Sequence, residues 1–293
     1  MIKNENNKEK RLILQRARLD TGNLQFDNED GFKTAIENGF FLLKRPVHID
    51  LEPGLKLANS FYKNTDKNNP YEGFKEKEGV YFDREHFQTE HILLDQHARK
   101  ELFPEELNKL CNQMNDIGII ILKSICQKLG MASRNWDEVT CGTLKNEGTH
   151  WFACSHYRSE LKRPGCAVHQ DTGFVTVLHI DQEGLEALID DEWVDIEPVQ
   201  GYFVINFGAS LEILTKNLKN PVKAVLHKVR EIKSRKKGND RYSFAAFLNP
   251  PAHLDLYQYS SRGNLEKYMP VKDFLEKFNK STWYDRHDQF GIG

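Results

Sequence analysis

The residues best placed to do chemistry sit in Val168-His169-Gln170-Asp171-Thr172-Gly173. Residues two apart on an extended strand point to one face, so His169 and Asp171 aim at one point and Gln170 turns away. A second histidine, His227 in Ala224-Val225-Leu226-His227-Lys228-Val229, lies on a later apolar run and can complete a two-histidine, one-carboxylate set. That donor set suits iron(II) and leaves coordination positions open to other molecules. A zinc or other divalent-metal protein with no oxidation chemistry could use the same three ligands. A lone strand histidine is more often packed than metal-bound, and the chain has 11 histidines, so the pattern needs support from its surroundings.

Support comes from Arg241-Tyr242-Ser243, which opens another apolar run. An inward Arg–Ser pair calls for an anionic partner, because an unpaired buried guanidinium is costly. A carboxylate can accept both arms of the Arg241 fork and a further bond from Ser243. The competing reading is an ion pair between Arg241 and the adjacent Asp240.

The order of these features resembles the isopenicillin N synthase-like family of iron(II)/2-oxoglutarate-dependent oxygenases. Gly39-Phe40-Phe41-Leu42 is similar to the family's N-terminal "GFF" strand, His169-Gln170-Asp171 to its H-x-D, and Thr176-Val177-Leu178 to its T-x-L. Gly201 to Asn217 resembles the "NIGD-x-LEILSNG" stretch, His227 stands at "LHRV", Arg241 and Ser243 fill R-x-S, and Asn249-Pro250-Pro251 matches the strand end. The resemblance runs from about residue 30 to 251 and is densest after 150. It implies that His169, Asp171 and His227 bind Fe(II) and that Arg241 and Ser243 hold the distal carboxylate of 2-oxoglutarate. It further implies that Tyr157 holds the cosubstrate's other end. Ser155, Arg158 and Ala209 depart from the family's Asn, Pro and Asp, and none of the three is a ligand position.

The activity implied is oxidation of an aliphatic C–H of a small, amino-acid-derived metabolite by dioxygen, through hydroxylation, desaturation or ring closure. Related halogenases carry Gly or Ala where Asp171 stands, so its carboxylate argues against halogenation. The alternatives are a 2-oxoglutarate-independent oxidase of the isopenicillin N synthase type, which keeps R-x-S, and a non-catalytic cupin-like metal-binding protein. Arg84, His86, Arg158 and Arg286 could meet a substrate carboxylate, and Phe82, Trp151, Phe152 and Tyr257 could line its pocket; surface charge and ordinary core are the other reading of each.

The elements that must position these groups change texture near Cys141. Before it, helical spacing appears within 31–45, at Leu51–Lys63 and, most clearly, from Pro104 to Leu129, where Leu107, Leu110, Met114, Ile117, Ile121, Leu122 and Ile125 recur mostly at three and four residues. Gly118 inside that run is a mild cost, and Gly130 ends it. The only strand expected in this half is the apolar burst Gly39–Leu43. After it come short apolar runs bounded by turn residues: Trp151–Tyr157, Ala167–His169, Phe174–Ile180, Leu185–Ile189, Tyr202–Phe207, Ala224–Val229 and Tyr242–Leu248. This pattern predicts an α+β chain with a mainly β core, a double-stranded β-helix (jelly roll) with a helical N-terminal region packed on it. The expected division is one oxygenase unit over 1–293: a mainly helical region 1–148, a core 149–251, and a tail 252–293 serving as a lid, with a helix at Val271–Phe278 and with Trp283 and Tyr284.

Composition narrows the remaining classes. A hydrophobic fraction of 39% and a charged fraction of 29% suit a globular protein, and a net charge of −2 gives no field to gather nucleic acid or anionic membrane. The basic run Lys233-Ser234-Arg235-Lys236-Lys237 adjoins Gly238-Asn239 and reads as a solvated turn. No apolar stretch is long enough to span a bilayer, and Met1–Lys10 lacks the apolar core of a secretory signal. Cys111, Cys126, Cys141, Cys154 and Cys166 include no CxxC pair and read as buried thiols of a cytoplasmic protein. Small-molecule substrate and dioxygen are the expected partners.

Overall fold

The computed structural model describes residues 12–233 and 240–282. The chain begins with the hairpin β1 (Arg16–Asp20) and β2 (Asn23–Phe26), then α1 (Gly31–Asn38), β3 (Phe40–Lys44) and α2 (Glu52–Ala58). There follow β4 (Tyr81–Asp83), β5 (Thr89–Leu94), α3 (Gln96–Leu102), α4 (Glu105–Lys128) and α5 (Trp136–Val139). The second half supplies β6 (Thr149–Tyr157), β7 (Val175–Ile180), β8 (Leu185–Ile189), β9 (Glu192–Ile196) and β10 (Tyr202–Phe207). It ends with α6 (Ala209–Thr215), β11 (His227–Val229), β12 (Arg241–Asn249), the hairpin β13 (Asp255–Tyr259) and β14 (Leu265–Pro270), and α7 (Val271–Thr282).

The major sheet has nine strands in the order β2-β1-β3-β10-β7-β12-β6-β5-β4, and a minor sheet has the order β11-β8-β9. Together they form the expected jelly roll. Period-two alternation gives the major sheet two unlike faces. On β12, Phe244, Ala246 and Leu248 join the core cluster built on α4, whereas Ser243, Ala245, Phe247 and Asn249 line a cavity on the opposite side. On β6, Phe152 and Cys154 are in that core and Trp151, Ala153, Ser155 and Tyr157 line the cavity. A second cluster, with Phe40, Leu42, Ile180, Leu185, Ala187 and Val204, packs the two sheets together.

The helix α4 forms because its apolar residues fall on one stripe, and that stripe, Leu107 to Ile125, is buried against the sheet. The first half departs from expectation in its strands. Instead of one it has five among the described residues, and β1–β3 and β4–β5 extend both edges of the major sheet, so the N-terminal region is woven into the sheet as well as packed on it. Among the described residues no helix is long and apolar enough to cross a membrane. Four cysteines are buried thiols, and the half-buried Cys166 lines the cavity. Residues 234–237 of the basic run, Trp283, Tyr284 and Arg286 lie outside the described residues.

Candidate metal centre

His169 is not on a strand, contrary to the expectation for Ala167–His169; it makes one isolated antiparallel bridge with His227. Each of these residues donates its backbone N–H to the other's carbonyl, at 3.0 and 2.8 Å, which sets the two imidazoles side by side with centroids 4.4 Å apart. The chain peels away after the bridge because Ala209 N–H, at the start of α6, donates to the carbonyl of Asp171 at 2.8 Å. Gly208 makes this approach feasible: a Cβ there would sit 2.2 Å from the Gly173 carbonyl oxygen. The Ala224–Val229 run is strand only over β11, so its first half is an extended lead-in.

The three expected ligands converge. The His169 and His227 Nε2 atoms lie 3.7 and 3.6 Å from one oxygen of Asp171, and the ligand atoms all fall within 4.8 Å of one another. The Nδ1–H groups donate to the carbonyls of Ala167 (2.9 Å) and Val225 (3.1 Å), which fixes the tautomer that leaves both Nε2 lone pairs facing the carboxylate. Asp171 Oδ2 is taken by Thr176 Oγ1–H at 2.5 Å and Asn206 Nδ2–H at 2.6 Å, so Oδ1 alone faces the histidines. Thr176 and Asn206 are cross-strand partners on β7 and β10. Sequence reasoning did not assign them this role, although both fell in stretches that resembled the family.

Electrostatics fit a cation between these groups. Burial disfavours the Asp171 charge, but His227, His169 and Thr176 together outweigh it and hold the carboxyl well below the usual range. Burial, then His227, pushes His169 down to about 4, which keeps it a neutral ligand. Burial also lowers His227, but its contact with Asp171 prevails and raises it. Two neutral-capable imidazoles and one ionised carboxylate fit a ferrous ion with positions left over.

The cavity holding this triad encloses about 1100 Å³ of empty space, counted with its mouth. Arg241 and Ser243 form part of its wall on β12, as expected. Arg241 is 1% exposed; its Nε–H donates to the Glu183 carbonyl at 3.1 Å, while Nη1 is buried without a hydrogen-bond partner. Asp240 does not pair with it, being bound by His156 and Ser159. An orphaned, buried guanidinium facing a cavity fits the carboxylate of 2-oxoglutarate. Tyr157 lines the same cavity. It is the cross-strand partner of Arg241, with its ring 4.6 Å under the guanidinium, so it belongs to the Arg241 end of the cavity.

Of the residues considered for substrate, Trp151 lines the cavity, whereas Phe152 is buried on the opposite face. Phe82 stacks on His91, which lines the cavity, and buried Arg84 reaches His91 Nε2 at 3.5 Å. Arg158 pairs with Asp83 at 2.6 Å, and His86 and Tyr257 do not line the cavity. Gln170 bonds the Ala224 carbonyl, yet it also lines the cavity, so it is not turned away.

Fold and site together define a jelly-roll protein whose two-histidine, one-carboxylate triad shares a cavity with a buried arginine. Residues 149–250 match the family described as the 2OG-Fe(II) oxygenase superfamily, and the chain carries a domain of that superfamily. The chain is 34% identical over 166 residues to a 1-aminocyclopropane-1-carboxylate oxidase of Persea americana, a match covering 54% of this chain and 47% of that one. It spans about half the length of the curated relatives it matches. Its fold is shared with the dioxygenase for auxin oxidation of rice, with a TM-score of 0.66 at 18% identity over 92% of this chain and 95% of that one. It is shared too with dioxygenase for auxin oxidation 1 of Arabidopsis thaliana in its 2-oxoglutarate complex, with a TM-score of 0.63 at 19% identity over 86% and 98%.

Proposed function

We propose that this protein is an iron(II)/2-oxoglutarate-dependent oxygenase that oxidises an aliphatic C–H of a small, amino-acid-derived metabolite, by hydroxylation or by oxidative ring closure or desaturation. The observation that carries the reading is the convergence of His169, Asp171 and His227 in the same cavity as the orphaned Arg241 guanidinium. Iron, when bound by the three ligands, supplies the activation of dioxygen. The protein's own residues bind and orient. Arg241 and Ser243 take the distal carboxylate of 2-oxoglutarate, Tyr157 supports the guanidinium from below, and the apolar wall of Leu93, Trp151, Phe247 and Phe278 excludes water around the substrate.

The same reading takes the chain as one cytoplasmic oxygenase unit, with its β core at 149–251 and the region from 252 onward as a lid; Phe278 on α7 already borders the cavity. The amino-acid substrate class draws on the Persea relative, whose name specifies an amino-acid substrate. A second reading follows from that relationship: a substrate carboxylate, instead of 2-oxoglutarate, occupies Arg241. Anaerobic addition of iron(II) and 2-oxoglutarate should give a weak visible charge-transfer band, lost in Asp171→Ala and in Arg241→Met. Turnover of an amino-acid and N-alkyl-amino-acid panel that proceeds equally without 2-oxoglutarate would establish the second reading; a metal-loaded protein with neither band nor turnover would exclude both.

A further inference from the structure

The side of the sheet opposite the Arg241 pocket carries a buried charged cluster that none of the chemistry above uses. His156 on β6 is 4% exposed, and its Nδ1 lies 2.7 Å from Glu90 Oε1, its Nε2 3.0 Å from Asp240 Oδ2. Both ring nitrogens are thus engaged by carboxylate oxygens, one from each flanking acid. Burial opposes the Glu90 charge, but bonds from His156 and Tyr81 prevail and hold Glu90 low; Asp240 is likewise held low by Ser159 and His156. Tyr62 stacks on the His156 ring at 4.1 Å and Tyr242 at 4.9 Å, and the two phenols share a 3.1 Å hydrogen bond.

The register gives this cluster a purpose. Glu90, His156 and Tyr242 form one row across β5, β6 and β12. The flanking rows are Thr89–Tyr157–Arg241 and His91–Ser155–Ser243, and both face the cavity. Arg241 is the first residue of β12 and Tyr157 the last of β6, at strand ends where ladders open most easily. Just beyond those ends Asp240 Oδ1 accepts from Ser159 N–H (2.9 Å) and Ser159 Oγ–H (2.6 Å), while its other oxygen takes His156.

We propose that His156 is a positioning residue for the cosubstrate: clamped between Glu90 and Asp240, it fixes the strand ends from which Arg241, Ser243 and Tyr157 face the pocket. The inference rests on the oxygenase reading above. His156→Phe keeps a flat ring against Tyr62 and Tyr242 but removes both ring nitrogens, and Asp240→Asn keeps shape while removing one charge. Manganese(II)-loaded protein is titrated with 2-oxoglutarate by calorimetry, alongside manganese affinity and the thermal midpoint. The dissociation constant for 2-oxoglutarate should rise about tenfold in His156→Phe and about threefold in Asp240→Asn, since small misplacements of a binding group are costly. Manganese affinity should stay within about twofold, because the ligands sit on other elements. Unchanged 2-oxoglutarate affinity in either folded variant overturns the proposal, as does equal weakening of metal and cosubstrate, which marks general loosening. If His156→Phe does not fold, Asp240→Asn carries the test. Failure of the unmodified protein to bind 2-oxoglutarate would count against the oxygenase reading instead.

Discussion

Asp171 shows how much of a metal site is made by residues that never touch the metal. One of its oxygens is saturated by Thr176 and Asn206, so the other has a single direction in which to act. Removing either donor frees the carboxylate to rotate, and supporting residues of this kind typically contribute about 10–100-fold in metal affinity. Asn206→Ala and Thr176→Val should therefore each weaken manganese(II) binding by about that factor in competition with a chelator, with the fold intact by circular dichroism. An affinity equal to the unmodified protein would mean that neither donor is needed to orient Asp171. The three side chains that converge here were legible in the sequence because metal chemistry admits few residue types and because their order fits a family pattern. Thr176 and Asn206 were not legible in this role, since a threonine and an asparagine 30 residues apart acquire it only through the β7–β10 register. The pairing of Tyr157 with Arg241 was not legible either, because a residue number does not say which cross-strand partner lies beside it.

At the scale of elements, α4 and the strands β7, β8, β10 and β12 fall where apolar periodicity puts them. β5 escaped that reading because Thr89, Glu90 and His91 are polar by type yet buried, their polarity satisfied by cross-strand partners such as His156. β9 escaped because the turn before it is Asp190-Asp191, both with positive φ, where a hairpin is more readily recognised from Asn-Gly. Gly118 offers a test of the α4 packing. A Cβ there would meet Leu248 at 3.6 Å, an ordinary contact, so Gly118→Ala should stabilise the protein by about 0.5–1 kcal/mol through the helix backbone. A lower urea midpoint would show that α4 sits closer to β12 than these distances say. His150, on the same face of β6, has both ring nitrogens buried without partners, and burial, then Arg99, pushes it down to about 4. Its folded pKa lies below the unfolded value, so the folded state is favoured fully above pH about 6.5 and loses stability as pH falls toward 4. The two limits differ by up to about 3 kcal/mol. His150→Gln should flatten the fall in urea midpoint between those pH values, and an identical slope would assign the loss to other groups.

At the scale of the whole molecule, the site is a seam. His227 belongs to the minor sheet, Arg241 and Ser243 to the major sheet, and Asp171 to the connection that leads into β7, so ligands in the cavity join parts that otherwise meet through the apolar packing around Phe40, Leu185 and Ala187. Anything that binds only the folded protein stabilises it by mass action, by about 2.7 kcal/mol at a hundredfold excess over its dissociation constant. For a chain of this size that corresponds to roughly 5 °C or more in the thermal midpoint. Manganese(II) alone and manganese(II) with 2-oxoglutarate should therefore raise the midpoint in two steps. Arg241→Met should keep the first step and lose the second, whereas Asp171→Ala should lose both, because the keto acid needs the metal as well as the guanidinium. A second step that survives in Arg241→Met would mean that the cosubstrate is held across the seam by other groups. The basic pocket on β12 would then be left for the carboxylate of the substrate.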